Sequence, residues 1–279
     1  MSFSFIAKGT SSTSSCSTPS RPRILLTNDD GINSEGLWAT YEALKQLGDV
    51  LVCAPATQQS AVGRSLTIFK PLRVHEVIVN NVTGYAVEGS PTDSVIIGLF
   101  ALKWDPVLVV SGTNIGENIS CEAITTSGTV GAALEAANHN VASIAFSLQV
   151  IDQGMKFSDP RPKSINFTEV TKVVKDVVSR VLEKGFPKGV DVLNVNIPHV
   201  ITGGYEITTL AHKLFQTDVE MRHDPRGKPY FWITGPIIED GPNGSDLHSL
   251  HKGNISITPL TLNCTATGTE PEVDALFKK

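Results

Sequence analysis

The sequence places two adjacent carboxylates, Asp29 and Asp30, directly after a short apolar run at residues 24–26. That run is typical of a buried strand, and a helical pattern follows it at residues 37–47. Both acids therefore lie at the carboxyl end of a strand, the edge at which open α/β sheets bind their ligands. Adjacent carboxylates repel each other unless a cation lies between them or one is protonated. The pair thus indicates a site for a hard divalent metal ion.

A second polar group, Ser127, Gly128 and Thr129, stands at the start of a predicted helix that runs to Asn138. Backbone N–H groups at a helix start, with hydroxyls beside them, suit a phosphate or sulfate. A cation site next to an anion cradle is what hydrolysis of a phosphate ester requires.

Two further loops follow predicted strands at the same edge. One, PATQQSAVGRS, offers Ser60, and the other, SGTNIGEN, offers Asn114 and Asn118. Each motif also has a purely structural interpretation. The NDDG and SGTNIGEN segments are good turn sequences, Ser60 is an ordinary loop serine, and SGT is a helix cap. Their shared location at strand ends favours the functional interpretation.

The elements that position these loops follow an alternating order. Apolar runs alternate with helical patterns, which predicts a doubly wound, mostly parallel α/β sheet. Strands are predicted at residues 24–26, 50–54, 107–110, 142–146 and 190–198, and helices at residues 34–47, 91–103, 129–138 and 167–183. Asn80 and Asn81 interrupt a β-rich stretch and predict a hairpin turn.

After Pro198 the pattern changes to β-alternation, at residues 205–210, 230–234 and 254–262. We interpret it as an antiparallel extension used for oligomer contact or for covering the active site. The first residues, 1–21, are rich in Ser and Thr and contain no acid, which predicts a disordered tail. The predicted division is therefore a tail at 1–21, a core at 22–200 and a β-rich extension at 201–279.

Composition fits an ordinary enzyme: the 279 residues are 41% hydrophobic and 18% charged. A net charge of −5 does not favour binding to a nucleic-acid polymer, and no apolar run approaches the ~20 residues of a membrane helix. The four cysteines form no CxxC pair, so reduced thiols and a cytoplasmic location are expected.

Five segments in this order, TNDDG, SAVGRSLT, GSPTDSV, SGTNIGEN and SGTVGAALE, resemble the SurE family of survival-protein nucleotidases. The resemblance implies a Rossmann-like three-layer α/β/α fold, assembled as a homodimer or homotetramer. It implies a metal-dependent phosphatase that acts on nucleoside 5′- and 3′-monophosphates. By motif, its metal ligands are Asp29, Asp30, Ser60 and Asn114.

Because these four ligands are hard oxygens, the expected cofactor is one divalent ion per subunit, Mg²⁺ or Mn²⁺. The ion would activate a water, and Asp29 or Asp30 would accept its proton. The remaining phosphoryl oxygens would be bound by a set of four residues, namely Asn118, Ser127, Gly128 and Thr129. No Cys, His or Ser near these loops shows a paired nucleophile arrangement, so a covalent intermediate is not expected.

The chain departs from the family pattern at two acids. Glu117 stands where many relatives have proline, and Glu122, a candidate acid or base, stands where they have aspartate. The DPRG segment at 224–227 and the aromatic residues 230–232 are similar to archaeal-type members. Packing within the β extension explains these aromatics better than stacking on a nucleobase.

Other functions remain open. A receiver domain would need an aspartate after its third strand. A dinucleotide-binding oxidoreductase would need a GxGxxG turn, and a haloacid-dehalogenase-type phosphatase would need a DxD motif. The sequence supplies none of these. A non-catalytic metal and nucleotide sensor, or a broad acid phosphatase or exopolyphosphatase, remains as an alternative.

Overall fold

The structure is a computed structural model that describes residues 21–150 and 165–278. The predicted tail, residues 1–21, lies outside this description except for Arg21. No helix in the described ranges is long and apolar enough to cross a membrane.

A nine-stranded sheet forms the centre of the molecule, in the order β3-β4-β2-β1-β5-β6-β7-β11-β8. In this order, the six strands from β4 to β7 are parallel to one another. Strands β3 and β11 are antiparallel to their inner neighbours, β4 and β7. The strands are β1 (Arg23–Thr27), β2 (Asp49–Pro55), β3 (Val74–Val79), β4 (Val82–Val87), β5 (Leu108–Ile115), β6 (Ser143–Leu148), β7 (Val192–Ile197), β8 (Tyr205–Ile207), β9 (Asp218–His223), β10 (Pro229–Thr234) and β11 (Ile255–Leu260).

Helices cover both faces of the sheet and complete the predicted three-layer α/β/α fold. They are α1 (Glu35–Leu44), α2 (Pro91–Ile96), α3 (Ser120–Thr126), α4 (Gly128–Asn138), α5 (Thr168–Lys184), α6 (Asp246–His251) and α7 (Glu270–Ala275). Successive residues of β1 alternate between the faces: Leu26 packs in the cluster with α1 and α5, and Leu25 in the one with α2 and α4. The central strands are therefore buried on both sides, as their continuous apolar runs predict.

Capping residues fix where the helices begin. Ser34 accepts a hydrogen bond from Leu37 N at the start of α1, and Ser127 accepts one from Val130 N at the start of α4. Ser90 and Asp93 form a reciprocal capping box at the start of α2. The helix cap that the SGT segment predicts is thus confirmed.

The hairpin predicted at Asn80 and Asn81 is also confirmed, because both residues adopt positive φ angles, 51° and 61°, between β3 and β4. Asparagine tolerates this left-handed conformation better than most residues.

Two boundaries differ markedly from prediction, while the first helix ends three residues early at Leu44 and the strand at 205–210 ends at Ile207. The helix expected to reach residue 103 is α-helical only to Ile96 and continues as a π-helical turn to Ala101. The strand expected to end at Val110 continues to Ile115, because pairing with β6 resumes at Asn114 after a register shift. Hydrogen bonds from a neighbouring strand thus outweigh the turn preference of these polar residues. The segment that follows, read as a loop, contains the short helix α3.

Past residue 200 the chain forms two kinds of β structure. Strands β11 and β8 extend the main sheet, whereas β9 and β10 pair only with each other as an antiparallel ribbon. Every residue of β9 and β10 is exposed. The antiparallel extension is therefore confirmed, while its role in oligomer contact and the domain boundary at residue 200 stay predictions.

Candidate active site

Asp29 lies where three elements meet at the carboxyl end of β1. Its side chain is 5% exposed, and its Oδ1 accepts a hydrogen bond of 2.5 Å from the Thr129 hydroxyl in the first turn of α4. Its backbone carbonyl accepts a hydrogen bond of 2.7 Å from Gln59 N, in the loop after β2. Since Gln59 precedes Ser60, the structure brings the Ser60 loop to the backbone of Asp29 and the Ser127–Thr129 turn to its carboxylate.

Gly128 makes this close approach possible. A Cβ atom built on Gly128 would lie 2.8 Å from Asp29 Cβ and 3.1 Å from the carbonyl oxygen of Gln59. Real Cβ atoms essentially never approach other atoms that closely. The amino end of α4 therefore rests directly against the acid, with room only for glycine.

Asp30 connects the first loop to β5. Its Oδ2 accepts a hydrogen bond of 3.0 Å from Ile115 N, the residue after Asn114. Asn114 donates its Nδ2 to the carbonyl of Gly116 at 2.6 Å, which leaves its Oδ1 as the atom suited to a cation. The predicted ligands Asp30 and Asn114 thus lie on adjoining segments.

The NDDG segment is also the turn that its composition predicts. Asn28 Nδ2 donates to the Gly31 carbonyl at 3.1 Å, and Gly31 N donates to Asn28 Oδ1 at 3.2 Å. Gly31 has a φ of +95°, a conformation that glycine adopts without strain. Turn and site are therefore compatible interpretations of one segment, since Asn28 and Gly31 build the turn that presents the acids.

Ser60 lies on an exposed loop and accepts a hydrogen bond of 2.7 Å from Gln58 Nε2. Beyond Ser60 the loop is held against both α3 and α4. Gly63 N donates to the Thr126 carbonyl at 2.8 Å, and Arg64 Nε donates to Glu135 Oε2 at 2.7 Å. Glu135 is only 3% exposed, so this ion pair ties the loop to the interior.

The four predicted metal ligands supply carboxylate, hydroxyl and amide oxygens, which suit a hard cation. Among the described residues there is no cluster of three or more His, Cys, Asp and Glu side chains that could hold a metal. The proposed ligand set therefore depends on Ser60 and Asn114 as well as the two acids.

The turn Ser127–Thr129, which is predicted to bind phosphate, combines a helix cap with backbone N–H groups at a helix start. Ser127 Oγ accepts a hydrogen bond of 3.1 Å from Val130 N, so its hydroxyl does cap α4. Gly128 and Thr129 are the first residues of α4, where backbone N–H groups precede the intrahelical ladder. With the helix dipole behind them, these N–H groups favour an anion beside Asp29.

Asn118 is held by a network that sequence reasoning missed. Its N–H donates to Asn196 Oδ1 at 2.8 Å, and its carbonyl accepts from Asn194 Nδ2 at 2.8 Å and Asn196 Nδ2 at 3.1 Å. Its own Nδ2 donates to Ser147 Oγ at 2.8 Å. The available signal was the pair of asparagines two positions apart in the apolar strand VLNVNI.

Glu122 is an anchor for the C-terminal chain. Its Oε2 accepts hydrogen bonds from Leu214 N at 3.2 Å and Phe215 N at 3.4 Å, just before β9. The carboxylate that was a candidate acid or base therefore binds the base of the β9–β10 ribbon.

Asp246 plays a similar part in the interior. Its carboxylate is buried and accepts hydrogen bonds from Ser120 N at 2.7 Å and Ala211 N at 2.8 Å. Burial raises the pKa of Asp246 above its ordinary value, although the backbone N–H donors oppose that shift. The residue fixes the start of α3, next to the Asn118 segment.

Fold and site together define a class of protein: a Rossmann-like α/β protein that gathers polar residues at the carboxyl ends of β1, β2 and β5. The sequence model of the family "Survival protein SurE" matches residues 24–217. The chain belongs to the survival protein SurE family.

Its relatives are similar over nearly their whole length. A protein named 5′-nucleotidase SurE from Methanospirillum hungatei is 65% identical over 257 residues, covering 92% of each chain. One of the same name from Methanoregula boonei is 61% identical over 93% of this chain and 100% of its own. The crystal structure of the SurE protein from Aquifex aeolicus matches with a TM-score of 0.78 at 36% identity, covering 92% of this chain and 100% of that one. The archaeal-type resemblance and the predicted fold are confirmed.

Proposed function

We propose that this chain is a metal-dependent 5′-nucleotidase, which hydrolyses nucleoside monophosphates to a nucleoside and phosphate. The family and the names of its relatives support the nucleotidase activity. The observation that carries the proposal is the contact of Asp29 with Thr129 and Gly128. It places an acid next to a helix terminus suited to a phosphoryl group.

Asp29, Asp30, Ser60 and Asn114 would hold one divalent ion, Mg²⁺ or Mn²⁺. Their oxygen donors fit such a hard ion, and Asn114 already directs its amide nitrogen away, toward Gly116. When bound, the ion supplies Lewis-acid activation of water and of a phosphoryl oxygen.

The chain's own residues supply the other components of hydrolysis. The backbone N–H groups of Gly128 and Thr129 bind phosphoryl oxygens, beside the Ser127 hydroxyl at the same turn. The Asn118 amide carries a second hydrogen besides the one donated to Ser147, and this hydrogen is available to a phosphoryl oxygen. Asp29 or Asp30 accepts the proton of the attacking water. The direct attack by water leaves no phosphoenzyme.

Nucleoside 5′-monophosphates are the proposed substrates, with 3′-monophosphates as a second group. A phosphate-binding site of this kind also suits other phosphate esters. A broad acid phosphatase or exopolyphosphatase, or a sensor that binds without turnover, is therefore an outcome of the test and not a separate proposal.

We also propose that the chain assembles as a homodimer or homotetramer through the β9–β10 ribbon. Phe231, Trp232 and Ile233 on the ribbon are 63%, 56% and 83% exposed, which is unusual for a run of large apolar residues. Light scattering after size exclusion tests this: Trp232→Ser with Ile233→Ser would lower the mass to that of one chain. The reduced thiols expected of the cysteines fit a cytoplasmic location, which stays a prediction.

The experiment for the activity is a phosphate-release panel over nucleoside 5′- and 3′-monophosphates and short polyphosphate, with Mg²⁺, Mn²⁺ or a chelator. Asp29→Asn and Asp30→Asn are the variants, and Asp274→Asn, an exposed acid on α7, is the matched control. We expect release that chelator and both site variants abolish, with the control active. Full activity in chelator would remove the metal from the mechanism, and nucleotide binding without release would favour the sensor.

A further inference from the structure

Asn196 lies in a polar row that crosses three parallel strands. The register pairs Asn114 of β5 with Ser147 of β6, and Ser147 with Asn196 of β7. Ser147 and Asn196 are fully buried. Along these three parallel strands, the row therefore connects a proposed metal ligand, Asn114, with the buried amide of Asn196.

Asn196 makes two hydrogen bonds to the backbone of Asn118. Its Oδ1 accepts from Asn118 N at 2.8 Å, and its Nδ2 donates to the Asn118 carbonyl at 3.1 Å. Asn194, on the same face of β7 two residues earlier, donates a further bond of 2.8 Å to that carbonyl. The side chains of Asn194 and Asn196 thus satisfy both the N–H and the carbonyl of Asn118, which lies between β5 and α3.

Buried asparagines are costly in a strand. Asparagine is depleted from strands, and burying an amide is unfavourable unless its groups are paired. Both Asn194 and Asn196 are fully buried, and Asn194 Oδ1 lacks a hydrogen-bond partner among the described residues. Asn194 therefore carries an unsatisfied buried acceptor, although a valine or leucine would avoid that cost in this apolar strand.

We propose that Asn194 and Asn196 are positioning residues, which fix the Asn118 backbone so that its amide faces the phosphoryl group. The inference rests on the proposed function of Asn118. Ser147 completes the arrangement by accepting the Asn118 side-chain bond and so setting the orientation of the amide. The proposed metal ligands lie in the loop after β1, on β5 and in the loop after β2, outside the Asn118 segment that these bonds hold. Loss of these hydrogen bonds should therefore weaken phosphate binding and leave cation binding unchanged.

Asn196→Leu and Asn194→Leu keep the number of side-chain heavy atoms and remove the hydrogen bonds. Three quantities test them: kcat on a nucleoside 5′-monophosphate, inhibition by inorganic phosphate, and Mn²⁺ binding to the apoprotein by isothermal titration calorimetry. We expect kcat to fall at least about tenfold and phosphate inhibition to weaken. The reason is that even a small displacement of the Asn118 amide from the phosphoryl group can slow the reaction strongly. Mn²⁺ affinity should stay within about twofold of the original.

Ser256→Ala is the matched control. Ser256 is fully buried opposite Asn196 on β11, and its hydroxyl bonds to Thr208 at 2.8 Å, away from Asn118. It should leave kcat and phosphate inhibition unchanged. If Asn196→Leu does not fold, Asn194→Ala and Ser147→Ala provide the same test, since each removes one bond to Asn118.

Two results would overturn the inference. One is unchanged kcat and phosphate inhibition in the folded variants, and the other is an equal loss of Mn²⁺ and phosphate binding, which indicates general damage to the site. Failure of the proposed function is distinguishable, because the unaltered protein would then show no turnover or no Mn²⁺ binding in the same assays.

Discussion

The Thr129 hydroxyl donates a hydrogen bond of 2.5 Å to Asp29 Oδ1, which joins the amino end of α4 to the carboxyl end of β1. Both side chains are buried, so the bond is shielded from water. The bond fixes the orientation of a carboxylate that is proposed to hold a cation. The rotamer of the acid therefore depends on a residue 100 positions later in the chain.

Thr129→Val keeps the shape of the side chain and removes this donor. We expect weaker Mn²⁺ binding and at least about tenfold lower activity, since a buried acceptor that loses its partner costs roughly 1–3 kcal/mol. Calorimetric Mn²⁺ titration and phosphate release measure the two effects. Thr129→Ser, which retains the hydroxyl, should preserve both, and an active Thr129→Val protein would contradict the role given to the bond.

Gly128→Ala should inactivate the enzyme because the added methyl group displaces Asp29 or the start of α4. The new methyl group would stand 2.8 Å from Asp29 Cβ, so the acid or the helix must shift. Alanine has a higher helix propensity than glycine, which offsets part of the strain in α4. We therefore expect a large loss of activity with only a small change in melting temperature. Gly204→Ala, where nothing lies within 4 Å of the added Cβ, is the control and should leave activity unchanged.

Arg64 and Glu135 should be energetically coupled. Arg64→Met leaves a buried carboxylate without its guanidinium and should cost roughly 1–3 kcal/mol, since Arg64 itself is partly exposed. Replacing both residues, by Arg64→Met with Glu135→Leu, should cost less than Arg64→Met alone, as urea unfolding would measure. Lys172→Met, which breaks the exposed pair with Glu169, should have little effect. Additive losses in the double variant would refute the coupling.

Cys53 should resist alkylation in the folded protein. Burial raises the pKa of its thiol to about 12, with a weaker opposing effect from the Gly98 backbone. Cys121 and Cys264 are exposed. Iodoacetamide at mildly alkaline pH, followed by peptide mass spectrometry, should therefore modify these two and reach Cys53 only after unfolding. Rapid native labelling of Cys53 would show that β2 opens readily.

Local signals explain what the sequence predicts well. The apolar run before Asp29, the capping serines and the Asn80–Asn81 turn each act within a few residues, so they fix β1, the helix starts and one hairpin. Strand ends and a helix start also indicated the acid pair and the Ser127–Thr129 turn, whereas the assignment of Ser60 and Asn114 as metal ligands came from the family resemblance.

Interactions between distant residues explain what the sequence does not reveal. The bonds from Asn194 and Asn196 to Asn118 span 76 and 78 positions, and the Arg64–Glu135 pair spans 71. The extension of β5 past Ser111 likewise depends on pairing with β6. No periodicity within a segment announces such partners, so Glu122 also resembled a free acid until its bonds to Leu214 and Phe215 were seen.

The place of β7 in the chain has a consequence for biosynthesis. A nascent polypeptide that ends before β7 already contains every proposed metal and phosphate ligand, yet it lacks the two amides that hold Asn118. Because domains form as the ribosome delivers them, amino end first, the centre cannot be completed until β7 has joined β6. Completion of the active centre during synthesis is thereby coupled to the pairing of β7 with β6.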